Sequence, residues 1–301
     1  MGESKRKKMA TQVDPTQLAS QSHTDMMAKV LNTIGKHQPT QQPQPQQQQT
    51  YSFKDVHLGI GLPTYGGQMN TTCAMSLLKF AMLANQVGLM WSLETMINES
   101  LVQRARNSLM AKLATNKDIT HFFFLDSDIE FDPEQLIKMI IQSVVDPEKA
   151  VIGGVYPKKA LPIAYNLNFE KETRIHGPLY TVDTLPTGFL MFQRRVWEDL
   201  VKAHPEWKYK DDIGLGKQYE PNLYAVFDCY IDKEGHYLSE DWAFCRRAKQ
   251  LGYLMWCDSR VKLNHIGNYT FCGDTDLLKV SVDDTALQVD ELSKPVITET
   301  K

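Results

Sequence analysis

The stretch His121–Asp132, HFFFLDSDIEFD, limits the choice of fold more than any other part of the chain. Phe122, Phe123, Phe124 and Leu125 form an apolar run without polar alternation, which predicts a strand covered on both faces. Asp126-Ser127-Asp128 follows at its C-terminal end. Central strands of this kind belong to open α/β sheets, whose ligands collect just beyond the carboxyl ends of the strands. Two carboxylates one residue apart cannot both be buried uncompensated, because a lone desolvated charge is costly or takes up a proton. A divalent cation resolves that conflict. Hard oxygen donors favour Mg or Mn, which bridge one or two carboxylates and the oxygens of a diphosphate. Asp132-Pro133 ahead of Leu136, Met139 and Ile140 is by contrast an ordinary helix start.

The preceding segments supply the rest of a nucleotide-binding sheet. Val56–Leu62 predicts a first strand, Pro63-Thr64-Tyr65-Gly66-Gly67 the loop after it, and residues 71–86 a helix ended by Gly88. Leu89–Ile97 is a second strand. In the loop, Tyr65 can face a base and the small residues can admit phosphate or ribose. There is no GxGxxG and no GKS/T, so neither a dinucleotide fingerprint nor a P-loop is present. Ser100–Gln103 fits a capping box for the next helix, whose buried stripe is Val102, Ala105, Leu109 and Leu113. Arg104 and Arg106 fall off that stripe. They are either solvated or, at Arg106-Asn107, within reach of an anionic ligand.

Beyond the acidic strand, Ala150–Tyr156 predicts another apolar strand, ended by Pro157-Lys158-Lys159 at the same sheet edge. Tyr165–Phe169 and Leu179–Val182 read as an antiparallel pair. Gly188, between Thr187 and Phe189 in an apolar strand, implies either a packing glycine or close approach of a ligand to the backbone. A helix is expected from about residue 194 to 203 and another after Ser239-Glu240-Asp241-Trp242, ending at Gly252. Leu254–Cys257 reads as the final apolar strand, and Val261–Gly267 carries His265.

Composition sets the outer limits. At 301 residues and 42% hydrophobic the chain suffices for one α/β domain with extensions. Residues 1–50 hold six Lys/Arg and three Asp/Glu, a net of +3; with -3 for the whole chain, the remainder carries -6. An acidic body does not suit a large nucleic-acid footprint. The basic cluster Lys5-Arg6-Lys7-Lys8 and the Gln/Pro tract 38–49 predict a disordered tail, a tether or a contact for an anionic partner. Residues 273–301 read as an acidic, fraying tail. No run reaches the ~18 apolar residues of a spanning helix, and no signal-peptide core precedes the domain. Five cysteines without CxxC spacing suggest reduced thiols and a soluble chain in a cytoplasm-like compartment.

Six motifs in order resemble the GT-A glycosyltransferases, in particular family-2-like, DxD-containing enzymes that use nucleotide-diphosphate sugars. They are Arg106-Asn107, FFFLDSD ending at 128, VIGGVYPKK at 151–159, PTGFLMF at 186–192, SEDWAFCRRAKQLGY at 239–253 and NHIG at 264–267. Together they cover nearly everything between residues 56 and 272. The resemblance implies a Rossmann-like, open, mostly parallel sheet with helices on both faces and a smaller antiparallel acceptor-side sheet, over residues 51–272. It also implies a Mn or Mg ion held by Asp128 and His265, with Asp126 touching the metal or the ribose. Pro63, Thr64 and Tyr65 would line the base and ribose pocket. Arg106, Ser127 and Lys158 would face the donor, and Thr187 and Gly188 would border its sugar. Asp241, with Glu240 beside it, would match the acidic pair whose Asp is the base of inverting members.

The implied activity is hexose transfer, with UDP favoured as carrier, to a hydroxyl on a glycan, a protein or a modified nucleobase. A QxxRW motif is missing after the acidic pair, which argues against a processive synthase. Alternatives are a retaining enzyme of the same fold, an inactive nucleotide-sugar-binding module and a phosphohydrolase of the haloacid dehalogenase type. The last wants Thr or Val where Glu130 stands and places its motif after the first strand, not the third. A calcium-binding EF-hand loop fails at Phe131 and Ile137.

Overall fold

The computed structural model describes residues 52–275 apart from Asn166 and Lys171. The expectations for residues 1–50 and for the acidic segment beyond 275 lie outside the described residues. Residues 273–275 are tied to the fold. Gly273 N donates to Asn264 Oδ1 at 3.2 Å, Asp274 N to Tyr165 Oη and Thr275 Oγ1 to Ser259 O, both at 2.6 Å.

Strand β1 (His57–Thr64) leads through a single 3-10 turn into helix α1 (Thr71–Val87) and strand β2 (Met90–Ile97). Helix α2 (Val102–Thr115) precedes β3 (His121–Leu125), the acidic turn, β4 (Ile129–Glu130), α3 (Pro133–Val145) and β5 (Val151–Gly153). Next come β6 (Asn168–Phe169), β7 (Ile175–His176), β8 (Leu179–Thr184), β9 (Phe189–Gln193) and α4 (Arg194–Ala203). A hairpin of β10 (Tyr230–Ile231) and β11 (Tyr237–Leu238) stands before α5 (Glu240–Gln250). The described chain closes with β12 (Met255–Asp258), β13 (Asn264–Ile266) and β14 (Thr270–Cys272).

Nine strands form the main sheet in the order β2-β1-β3-β9-β5-β12-β8-β6, with β7 also on β8. Strands β2, β1 and β3 are parallel, as are β5 and β12. Only β9, inserted between β3 and β5, and β8, beyond β12, run against the others. The expected mostly parallel α/β sheet is therefore present, interrupted in its centre by one reversed strand. A small three-stranded antiparallel sheet, β14-β13-β4, lies beside it.

The unalternating Phe122–Leu125 run follows from burial on both faces. Phe122 and Phe124 share one core with Leu109 and Leu113 of α2, Trp197 of α4 and Phe244 of α5. Phe123 and Leu125 share the other with Leu77 and Phe80 of α1 and Leu136 and Ile140 of α3. Each such side chain contributes roughly 1.5–3 kcal/mol by leaving water. Aromatic edges fix their orientation, with Phe124 against Phe227 at 5.0 Å and Phe123 against Phe189 at 4.9 Å.

Three helix ends follow the expected local chemistry. Asn70 Oδ1 caps Thr72 N, Gly88 closes α1 in the left-handed region (φ 71°), and Asp132 caps Glu134 N. The capping box expected at Ser100 does not form. Instead Glu99 Oε1 accepts from Leu101 N at 2.9 Å and both its oxygens are held by Arg104, so the acid one residue earlier does the work. The strand expected over 150–156 is confined to Val151–Gly153, and the backbone after it packs closely on the segment leading to β13: a Cβ at Gly154 would lie 2.5 Å from Val261. Among the described residues no helix is long and apolar enough to cross a membrane, and all five cysteines are free thiols.

Candidate active site

The turn after β3 is pinned from three directions by backbone hydrogen bonds. Asp126 N donates to Gly188 O at 2.9 Å, Asn70 N to Ser127 O at 2.8 Å, and Ile266 N to Asp128 O at 2.8 Å. The ends of β9, α1 and β13 thus set the two carboxylates, although these elements are far apart in sequence. In the small sheet His265 pairs with Ile129, which places the imidazole directly over the acidic turn.

The two acids face different partners. Asp126 Oδ1 accepts from Arg106 Nη2 at 2.9 Å, while Asp128 Oδ2 lies 2.6 Å from Lys159 Nζ and 3.5 Å from His265 Nε2. His265 Nδ1 is 2.9 Å from the Pro157 carbonyl, a pure acceptor, so Nδ1 carries a proton in either charge state of the ring, and Nε2 faces Asp128. Burial by itself would raise the Asp128 carboxyl. Hydrogen bonds and charge from His265 and Lys159 outweigh it and hold the group below the usual carboxylate value.

Arg106, expected off the buried stripe, is buried. Its guanidinium lies over the Phe124 ring at 5.5 Å, reaches Glu240 Oε1 through Nε at 3.4 Å and leaves Nη1 without a hydrogen-bond partner. Burial alone would depress this group. The Asp126 and Glu240 carboxylates reverse the balance and raise it. Glu240 in turn is raised by burial, with Asp241 and Asp126 adding to the effect and Arg106 opposing it. A stripe built on apolar periodicity misses such a residue, because a guanidinium enters a core only where carboxylates pair it, and periodicity does not reveal pairing.

Ser239 and Asp241 open α5. Asp241 Oδ1 accepts from Trp242 N at 2.8 Å and from the Ser239 hydroxyl. Asp241 also lines a cavity of about 360 Å³ together with Tyr156, Pro157, Lys158, Lys159, Pro186 and His265. That cavity brings four predicted or flanking residues to one place: Asp241, His265, Lys158 and, through its ion pair with Lys159, Asp128.

Other expected residues stand apart from it. Thr64 is buried with its hydroxyl on the Met96 carbonyl, and Tyr65 is 73% exposed at the carboxyl end of β1. With Pro63 they lie at the correct sheet edge but outside the cavity lining. Thr187 is buried. Gly188 is a close-approach glycine: a Cβ there would sit 2.5 Å from Asp126 Oδ2 and 2.9 Å from its Cγ. The close neighbours are the protein's own carboxylate and the Tyr156 hydroxyl.

Asp126, Asp128 and His265 do not converge as a trio. Among the described residues no group of three or more His, Cys, Asp or Glu side chains is arranged to hold a metal ion, because Asp126 is turned to Arg106. Asp128 and His265 remain a facing oxygen and nitrogen pair, of which the carboxylate is the kind of donor that Mn or Mg favours.

Sequence reasoning passed over Tyr156. Its hydroxyl accepts from Gly188 N at 3.2 Å, its ring meets His265 edge-on at 5.0 Å, and burial pushes its phenol well above the ordinary value. The available signal was its place, last in an apolar run and immediately before two lysines.

No family model matches the chain, and no curated protein matches it. Among solved structures it is similar to A197 from STIV at 16% identity, covering 73% of this chain and 95% of that one, with a TM-score of 0.41. A UDP-glucose pyrophosphorylase complexed with UDP-glucose gives 10% identity, 67% and 89% coverage and a TM-score of 0.40. A glycosyltransferase involved in glycosylation of the major capsid of PBCV-1 gives 16% identity, 67% and 92% coverage and a TM-score of 0.30. Likenesses this loose carry no weight for function, which rests on the side chains described above.

Proposed function

We propose that this chain is a metal-dependent glycosyltransferase that moves a hexose from a nucleotide-diphosphate sugar, with UDP as carrier, to a hydroxyl acceptor with inversion. The observation that carries the reading is the convergence of Asp128, Lys159, His265 and Asp241 at the carboxyl edge of the sheet, three of them around one cavity. Asp128 and His265 would hold the Mn or Mg ion. Such an ion, when bound, neutralises charge that develops on the departing diphosphate.

The chain's own residues supply the rest. Lys158 and Lys159 place positive charge where the diphosphate oxygens gather it. Arg106 holds one oxygen of Asp126 in place. Asp241 faces the cavity and takes the proton of the attacking hydroxyl, a role worth about 10²–10⁴-fold for a positioned base. Glu240, its neighbour, is turned to Arg106 and orients that network. A phosphohydrolase nucleophile at Asp126 suits the geometry poorly, since Arg106 occupies one oxygen and Gly188 closes on the other. Five unpaired thiols fit a reducing, cytoplasmic setting, and the acceptor would be a glycan, a protein or a modified nucleobase.

A screen of nucleotide sugars with Mn(II), repeated after chelation, tests the reading. Sugar transfer lost on chelation and lost in Asp241→Asn is the expected result. Phosphate release without transfer, or wild-type turnover in Asp241→Asn, removes it.

A further inference from the structure

Lys159 holds an unusual place in this site. It is the second lysine of the loop after β5, and its ammonium lies 2.6 Å from Asp128 Oδ2, the oxygen that His265 Nε2 also faces. Its stem runs over Gly267, where a Cβ would stand 3.3 Å from Lys159 Cδ, so a residue with no side chain makes room for the aliphatic part. The side chain is 39% exposed and Asp128 33%, so the pair lies at the mouth of the cavity and is not locked in the core. One carboxylate oxygen therefore has two claimants, a tethered ammonium and, on the reading above, a divalent ion.

We propose that Lys159 is a displaceable counter-ion. It neutralises Asp128 in the donor-free protein and moves to the donor's diphosphate when a metal ion takes that carboxylate. This inference rests on the glycosyltransferase reading. It adds a physical claim, namely that the nucleotide diphosphate and the metal ion help each other bind partly because each relieves a contact made by the same lysine. A ligand that draws the ammonium away frees Asp128 for the ion, and linkage makes the effect reciprocal. An ion pair this exposed contributes at most about 1 kcal/mol, or roughly fivefold in affinity.

Titration of the full chain with MnCl2, following free Mn(II) by electron paramagnetic resonance with and without UDP, tests it. In Lys159→Met the ion alone is expected to bind roughly fivefold more tightly than in wild type. The factor by which UDP tightens Mn(II) is expected to shrink by a similar amount, and Lys159→Arg is expected to keep the wild-type coupling. Lys159→Gln, with a circular dichroism spectrum matching wild type, guards against a folding artefact. Unchanged Mn(II) affinity and unchanged coupling in both neutral variants overturn the inference while leaving the glycosyltransferase reading in place. Failure of wild type to bind either MnCl2 or UDP overturns both.

Discussion

Arg106 Nη2 donates to Asp126 Oδ1 at 2.9 Å, and this bond separates the duties of two acids that stand one residue apart. Asp126 shares the buried Arg106 guanidinium with Glu240. Asp128 is left facing a lysine and a histidine at a cavity mouth. The same sequence motif thus yields one carboxylate held by a buried guanidinium and one facing a lysine and a histidine, and substitutions at the two positions should behave differently.

Asp128→Asn is expected to lower sugar transfer by at least ~100-fold, the size of losing one charge-stabilising group. Both members of its ion pair with Lys159 are about a third exposed, so the pair contributes under ~1 kcal/mol and Tm should move by less than about 4 °C. A transfer assay run beside a thermal melt checks both.

Arg106→Met should instead be felt in stability. It removes the counter-ion from two partly buried carboxylates, a loss of about 3–5 kcal/mol. Urea unfolding gives the figure. A midpoint equal to wild type would mean that Asp126 and Glu240 find water when the guanidinium leaves.

Gly188→Ala forces a methyl group against the Asp126 carboxylate, displacing the turn that carries both acids. The expected cost is about 1–3 kcal/mol, accompanied by loss of transfer. Alanine at Gly235, where nothing lies near a Cβ but φ is 87°, provides a comparison in which backbone strain acts without the clash.

His121, at the start of β3, is pushed down from 6.5 to about 4 by burial, with Nδ1 on the Thr120 hydroxyl and Nε2 without a partner. Between those values the unfolded chain binds a proton that the folded chain refuses. Stability is therefore complete above pH 6.5 and falls as the pH drops toward 4, by on the order of 3 kcal/mol. His121→Asn should flatten that acid limb of a stability–pH profile. An identical slope in the variant would assign the limb to other groups.

Much of the fold could be read from periodicity. Phe122–Leu125 announced a strand covered on both sides, and Asp132-Pro133 and Gly88 marked helix ends that occur as expected. Periodicity says nothing about which polar side chains are paired, so Arg106 was left between solvent and ligand and Ser100 was credited with a cap that Glu99 provides. Nor does it show direction. The turn of Asp126 toward Arg106 depends on where β9 and α5 bring Gly188 against Asp126 and Glu240 against Arg106, contacts made across 62 and 134 positions of chain.

Strand β13 clips the loop carrying Asp128 through Ile266 N and through Asn264 Nδ2, which donates to Glu130 Oε2 at 2.9 Å. During synthesis the large sheet is supplied in full once β12 has emerged, yet the loop still lacks its clasp until residues 264–266 leave the ribosome. A nascent chain halted at 260 would hold a nearly finished scaffold and a slack acidic turn, so the candidate site is completed last.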